Sequence, residues 1–256
     1  MTNNNDNLFN SNNKGEESTN KIDWFDLFLQ SMVNQSKMAK QVEQMINNDG
    51  NDLYINGLIE IYANHNIPES IKEDYLYSFQ LREMIIPLQG FALLQEKWVN
   101  PLAEYLKGKK CVELFCGLGA LSKCLQDRGV DIIATDNYEW AESNRIKSID
   151  TLNFWTDIEK IDAIDAVKKY KDADYFIISW CPYKSEASYE VLKLMREIAP
   201  NAKLIHIGED YGGCTDSDKF FEALTREDYI RDEKFSIIQK NFDHFYGLHD
   251  EINLIK

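Results

Sequence analysis

The chain has 256 residues and carries 28 Lys+Arg against 43 Asp+Glu, a net charge of −15. The deficit is spread evenly: residues 1–105 hold 7 basic and 15 acidic side chains, and residues 106–256 hold 21 and 28. That balance offers no basic footprint for a phosphate backbone and disfavours duplex DNA as a partner, while 44% hydrophobic residues with 13 Phe and 13 Tyr argue for a packed globular protein.

No apolar run reaches the ~18 residues that a membrane-spanning helix needs. The opening stretch, MTNNNDNLFNSNNKGEES, has neither the basic start nor the apolar core of a secretory signal. The five cysteines are odd in number and form no CxxC pair, so a disulfide framework is not expected and a reducing cytoplasm is the expected compartment. The histidines form no HExxH, and His244 and His249 stand five apart, off any single helix face, so no metal site is expected.

Residues 1–20 contain eight Asn and read as a disordered tail. From Asn20 to Asn47 apolar residues recur at three and four, the pattern of an amphipathic helix. Asn48-Asp49-Gly50-Asn51 is a turn signal, and Leu53–Ala63 is compatible with either helix or strand. Pro68 suits the first turn of a helix running to Ile85, and Pro87 the start of another. Phe91, Leu94, Trp98, Leu102 and Tyr105 lie along one stripe of that last helix. Residues 21–106 thus read as a helical segment without visible chemistry: a packing layer, a homodimer interface or a lid.

After Gly108 the pattern changes. Short apolar strands are expected at Lys109–Phe115, Asp131–Thr135, Leu152–Thr156, Tyr175–Ser179 and Lys203–Ile207. Helices are expected at Leu118–Arg128, Tyr138–Lys147, Ile161–Tyr170, Glu186–Ile198 and Ser217–Leu224. Phe235–Asn241 and Glu251–Lys256 read as two closing strands with no helix between them. Such alternation means βαβ units and a parallel sheet, and a strand pair without a crossover helix implies one antiparallel edge strand. Residues 107–256 are therefore expected to form an α/β domain.

The sharpest motif is Val112-Glu113-Leu114-Phe115-Cys116-Gly117-Leu118-Gly119, which ends a strand and opens a helix. Glycines there let the backbone approach a ligand closely. The next strand ends in Asp136, 17 residues after Gly119, where a carboxylate can accept from a ribose diol. Ser122 stands where a dinucleotide fingerprint has its third glycine, and Glu113 is foreign to that fingerprint, so both oppose an NAD-linked reductase. Asp136 and Asp157 can alternatively act as helix caps, and Cys111 and Cys116 read as small core residues.

The stretch from Glu113 to Ser122, with Ala134-Thr135-Asp136-Asn137, resembles the class I S-adenosyl-L-methionine (SAM)-dependent methyltransferases. The resemblance covers residues 106–256. It implies a Rossmann-like, seven-stranded, mostly parallel sheet with an antiparallel seventh strand. It also implies a SAM site made of Glu113, Phe115, Gly117, Gly119, Asp136, Asn137, Asp157 and Ile158, with Asp136 on the ribose, Asp157 on the adenine amino group and Ile158 against the ring. Asp174-Tyr-Phe-Ile-Ile-Ser179-Trp180-Cys181-Pro182-Tyr183 is similar to the family's fourth motif, which usually ends Asn/Asp/Ser-Pro-Pro-Tyr.

That fourth motif departs from the pattern. Trp180 stands where the family has a hydrogen-bond acceptor for a target amine, and an indole N–H only donates. Ser179 or a backbone carbonyl must then take the role, or the target is not an amine. Trp180 and Tyr183, with Pro182 between them, can stack on a planar acceptor or line the pocket floor. Cytosine-5 DNA methyltransferases share a Phe-Cys-Gly-x-Gly loop, but Cys181 precedes its single proline and no Glu-Asn-Val follows, which opposes covalent catalysis by Cys181. In the loop Gly208–Asp216, Glu209 and Asp210 can meet a cationic substrate or serve as a base, or form a solvated turn. The reading is methyl transfer from SAM to a small molecule or a protein side chain. A nucleic-acid base methyltransferase and a non-catalytic SAM-binding protein are the alternatives.

Overall fold

A computed structural model of the chain describes residue 86 and residues 89–143, 154–244 and 248–256. The expected tail over residues 1–20, the helices over residues 20–47 and 68–85 and the elements between them lie outside the described residues. So does the second half of the helix expected at Tyr138–Lys147.

In chain order the elements are α1 (Glu96–Leu106), β1 (Lys110–Leu114), α2 (Ala120–Gln126), β2 (Asp131–Asp136), α3 (Glu139–Ser143), β3 (Ile158–Lys160), α4 (Ala163–Lys169), β4 (Tyr175–Ser179), α5 (Ala187–Ile198), β5 (Lys203–Gly208), α6 (Asp218–Glu222), α7 (Glu233–Asn241) and β6 (Glu251–Ile255). The sheet order is β3-β2-β1-β4-β5-β6. All neighbours are parallel except β5 and β6, which pair antiparallel from Leu204↔Ile255 to Gly208↔Glu251. The strand order reverses between β1 and β4, the topological switch point of a doubly wound sheet.

The strands read as continuous apolar runs because both of their faces are covered. In β4, Tyr175 and Ile177 pack with Trp98 and Leu102 of α1, Leu125 of α2 and Phe235 and Ile238 of α7. Phe176 and Ile178 point the other way, onto Val167 of α4, Val191 and Leu192 of α5 and Phe220 of α6. The period of two in side-chain direction thus divides one strand between two cores.

Three expectations are corrected. Phe235–Asn241 is helix α7, not a strand. Asp232 caps it, its carboxylate accepting from the N–H groups of Lys234 and Phe235, and Phe235 and Ile238 bury one face at a spacing of three while Ile237 stays exposed. Consequently the described sheet has six strands rather than seven; residues 228–230 lie along β6 but make only the isolated antiparallel bridge Tyr229↔Ile255. The third described strand is Ile158–Lys160; of the strand expected at Leu152–Thr156, residues 152–153 lie outside the described residues. Phe154–Thr156 is not strand, and the Trp155 N–H turns to the Leu118 carbonyl at 3.0 Å instead of joining the sheet.

Helix α1 begins at Glu96 rather than after Pro87. Of the expected stripe, Trp98 and Leu102 are buried and Tyr105 is half-buried on α1, whereas Phe91 and Leu94 lie ahead of the helix, Leu94 buried and Phe91 exposed.

Candidate functional site

The carboxyl ends of β1, β2 and β4 adjoin one another, and each chain turns there through a left-handed residue. Phe115 follows β1 with φ 57°, Tyr138 lies two past β2 with φ 66°, and Trp180 follows β4 with φ 55°. Bulky residues seldom adopt that region, and such strain concentrates where a site dictates the backbone.

Glu113 is 2% exposed. Its carboxylate reaches from β1 into α2, where Oε2 accepts both the Ser122 N–H, at 3.0 Å, and the Ser122 hydroxyl. Burial pushes its pKa up to about 7, against the lowering effect of these two bonds. Glu113 therefore acts as an internal pin between strand and helix, holding the intervening glycine loop rather than facing solvent. Ser122, which weighed against a dinucleotide fingerprint, is its partner.

Within the loop the glycines play different parts. At Gly119 (φ 79°), which starts α2, a Cβ would meet Thr156 Cγ2 at 3.0 Å and Ile158 Cδ1 at 3.2 Å. Gly119 is where the segment before β3 packs under the loop. At Gly117 (φ 58°) a Cβ would meet no atom within 4 Å. Its outer side is open, as a backbone that approaches a ligand needs.

Asp136 closes the loop from the neighbouring strand. Oδ2 accepts the Gly117 N–H at 2.8 Å, and Oδ1 accepts the Tyr138 N–H at 2.7 Å and the Trp140 indole N–H at 3.1 Å. A carboxylate offers about four acceptor positions; three are filled, and the remaining one, on Oδ2, suits one hydroxyl donor. Burial raises the Asp136 pKa, against the lowering effect of those same bonds. Asn137 Oδ1 accepts the Glu139 N–H at 3.0 Å and so opens α3. The Asp157 side chain is exposed and makes no hydrogen bond to another described residue, while Ile158 beside it begins β3 and is half-buried. Glu113, Gly117, Gly119, Asp136 and Ile158 are thus brought together around one loop, with Asp157 at its edge.

The turn after β4 divides its side chains. Trp180 is buried, donates its indole N–H to Asp250 Oδ2 at 3.1 Å and stacks on Phe91, with centroids 5.3 Å apart and planes 18° apart. Tyr183 is 57% exposed, with Lys184 Nζ 4.9 Å from its ring centroid. Ser179 is half-buried at the strand end, and Pro182 bridges to Thr215. Trp180 and Tyr183 therefore do not form one stacking wall. Cys181 is buried, and burial pushes its thiol pKa up to about 12, which disfavours the thiolate a covalent mechanism uses.

Sequence reasoning missed the residues that brace this turn. Asp216 (φ 58°) donates its N–H to the Cys181 carbonyl and accepts the Lys184 N–H through its own. Its carboxylate lies 2.8 Å from His206 Nε2 on β5. Burial opposes ionisation of Asp216, but the bond and charge of His206 hold its pKa below the usual carboxylate value. Glu209 is buried rather than solvated: Oε2 accepts from Cys214 N at 2.6 Å and Oε1 from His249 N at 3.1 Å. The pairings of Asp216 with Cys181 and Lys184 and of Glu209 with His249 join segments far apart in the chain, and the other two close the loop after β5 on itself or its own strand without any motif to mark them. Asp210 is exposed and accepts its neighbour Tyr211's N–H, as a surface turn residue does.

No family model and no curated protein matches the chain. Solved structures similar to it include several SAM-dependent methyltransferases. The plantazolicin methyltransferase BpumL, determined with SAH, is 14% identical, covers 87% of this chain and 98% of its own, and gives a TM-score of 0.41. A SAM-dependent methyltransferase from Archaeoglobus fulgidus is 17% identical over 72% of this chain and 100% of its own, with a TM-score of 0.40. Precorrin 8W decarboxylase from Methanobacterium thermoautotrophicum is 23% identical over 42% of this chain, with a TM-score of 0.29; the match spans 57% of that protein's length. At these identities and TM-scores none of them decides the chemistry of this chain. The sheet itself is Rossmann-like, and among the described residues no helix is long and apolar enough to cross a membrane.

Proposed function

We propose that the chain is a SAM-dependent methyltransferase whose donor site is the loop between β1 and α2, in a domain spanning residues 107–256. The observation that carries this is the joint fixation of that loop. Glu113 pins it from below, Asp136 ties Gly117 from the side, and Gly117 presents open backbone beside the spare acceptor position of Asp136.

These residues fit the donor. Gly117 and Phe115 would lie against its amino acid part, Asp136 would take one ribose hydroxyl, and Asn137, Asp157 and Ile158 would meet the adenine. A bound sulfonium supplies an electrophilic methyl group and needs no metal. What the protein adds is alignment and exclusion of water, where proximity supplies most of the rate. The Ser179–Tyr183 turn faces the acceptor side in this reading. Ser179 and the backbone carbonyls are its hydrogen-bond acceptors, because the Trp180 indole is spent on Asp250. A small molecule or a protein side chain suits an acidic protein as acceptor better than a polyanion.

One observation favours a second reading. Trp180 sits buried in the core at the position where an amine acceptor group would stand, as in a protein that binds SAM without transferring its methyl group. Incubation with methyl-labelled SAM and fractionated cell extract separates the two. Label transferred to any acceptor supports the enzyme; SAM binding without transfer across all fractions supports the binding protein.

A further inference from the structure

Trp140, on the short helix α3, donates its indole N–H to Asp136 Oδ1 at 3.1 Å. The same oxygen takes the Tyr138 backbone N–H at 2.7 Å. The left-handed Tyr138 (φ 66°) folds the chain back after β2, so that Trp140, four residues past Asp136, returns to the carboxylate. Tyr138 is buried and packs on Phe154, with ring centroids 5.4 Å apart, which holds that reversal in place.

The two oxygens of Asp136 are therefore not equivalent. A carboxylate oxygen has about two lone-pair positions. On Oδ1 both are filled by N–H donors. On Oδ2 one is filled, by the Gly117 N–H at 2.8 Å. Gly117 is also the residue whose outer side is open, with no atom within 4 Å of a Cβ built there. A ligand seated against Gly117 thus meets the oxygen that has room for one more donor. The second hydroxyl of a diol would face Oδ1, which is filled, and an indole N–H, which only donates and gives that hydroxyl's proton no acceptor.

We propose that Trp140 is a specificity residue of the donor site: by filling Oδ1 it leaves Asp136 able to bind one hydroxyl of the donor ribose and not both. The inference rests on the reading of the loop as a SAM site and adds which donors that site takes. It recognises an adenosyl donor through a single ribose hydroxyl and tolerates loss of the other. A hydrogen bond to an ionised group is worth roughly tenfold or more in affinity, so the two hydroxyls should differ by that factor.

The test titrates the full chain by calorimetry with SAH, 2′-deoxy-SAH and 3′-deoxy-SAH, and repeats the titrations on Trp140→Phe. On the unmodified chain one deoxy compound should bind at least tenfold more weakly than SAH and the other within about threefold of it. In Trp140→Phe the freed position on Oδ1 takes the second hydroxyl, so the compound that had matched SAH should fall about fivefold or more behind it. Equal losses for the two compounds on the unmodified chain would mean that Asp136 spans the diol, and SAH-like binding of both would mean that no hydroxyl reaches it; either result overturns the inference. Unchanged affinity ratios in a folded Trp140→Phe overturn it as well. The comparison of the two deoxy compounds needs no variant, so it holds even if Trp140→Phe folds poorly. Absence of SAH binding overturns the donor site and this inference together, whereas SAH binding with any of those three patterns overturns this inference alone.

Discussion

The carboxylate of Asp136 accepts the backbone N–H of Gly117 at 2.8 Å, so the end of β2 fixes the conformation of the loop that ends β1. A residue expected from sequence to hold ribose hydroxyls therefore has a prior task, to hold the loop around the donor. Three N–H donors converge on it, from Gly117, Tyr138 and Trp140.

Replacing Asp136 by Asn turns an amide N–H₂ toward at least one of those donors. Each buried donor left unpaired costs about 1–3 kcal/mol. Asp136→Asn should lose about that much stability in urea denaturation and at least tenfold in SAH affinity. A variant with wild-type stability and only weakened SAH binding would mean that Asp136 serves the ligand alone.

Gly117 and Gly119 should separate stability from binding. Both have positive φ, which costs a residue with a Cβ about 1 kcal/mol, but only Gly119 also faces a clash with Thr156 and Ile158. Gly119→Ala should be the more destabilising by about 1–2 kcal/mol. Gly117→Ala should melt only about 2–4 °C below the wild type yet bind SAH at least tenfold more weakly, because its methyl group fills the open side. Melting curves and calorimetry on both variants check the order.

Glu113 sets a pH dependence. Its folded pKa, about 7, lies above the unfolded value of 4.5, because burial disfavours the ionised form. The stability it contributes is thus fully present below pH 4.5 and is lost as pH rises through 7. The gap corresponds to about 3 kcal/mol at 1.36 kcal/mol per unit. Denaturation of the wild type and Glu113→Gln across pH 4.5–8 should show the wild type losing stability relative to the variant over that window. Parallel curves would contradict the buried placement. Asp250, which is also raised, remains in both proteins and cancels in the difference, whereas Asp136, whose charge adds to the rise at Glu113, titrates with it and contributes to the same window.

Asp216→Ala leaves His206 buried without its partner and places an alanine at positive φ in the segment that braces the turn after β4. Breaking a buried pair costs about 3–5 kcal/mol. Asp216→Asn should cost far less, since Asn tolerates positive φ and can still pair with His206. Equal losses in the two variants, by chemical denaturation, would argue that the pair does not brace the turn.

The strand–helix alternation and the glycine loop were legible because each is local: apolar runs of four to six with GxG between them. The antiparallel edge strand at Glu251 is present, but it pairs with β5 and not with the strand expected at Phe235–Asn241, which is α7. What sequence could not supply was partner choice. Phe-Ser-Ile-Ile in α7 satisfies both periods over four residues, and only the Asp232 cap selects the helix. Phe154-Trp155-Thr156 is as apolar as a strand, but Trp155 bonds the glycine loop. Trp180 read as a stacking surface because its partners, Phe91 and Asp250, are 89 and 70 residues away in the chain. Glu209 read as a surface acid because the N–H groups that bury it, of Cys214 and His249, come from a loop and from the approach to β6.

The central claim is that the loop after β1 is a SAM site. Calorimetric titration of the full chain with SAH, beside NAD under the same conditions, tests it most directly. The expected result is one SAH per chain, no heat from NAD, and at least tenfold weaker SAH binding in Gly117→Ala. Binding of NAD without SAH, or SAH affinity unchanged in Gly117→Ala, would contradict the account.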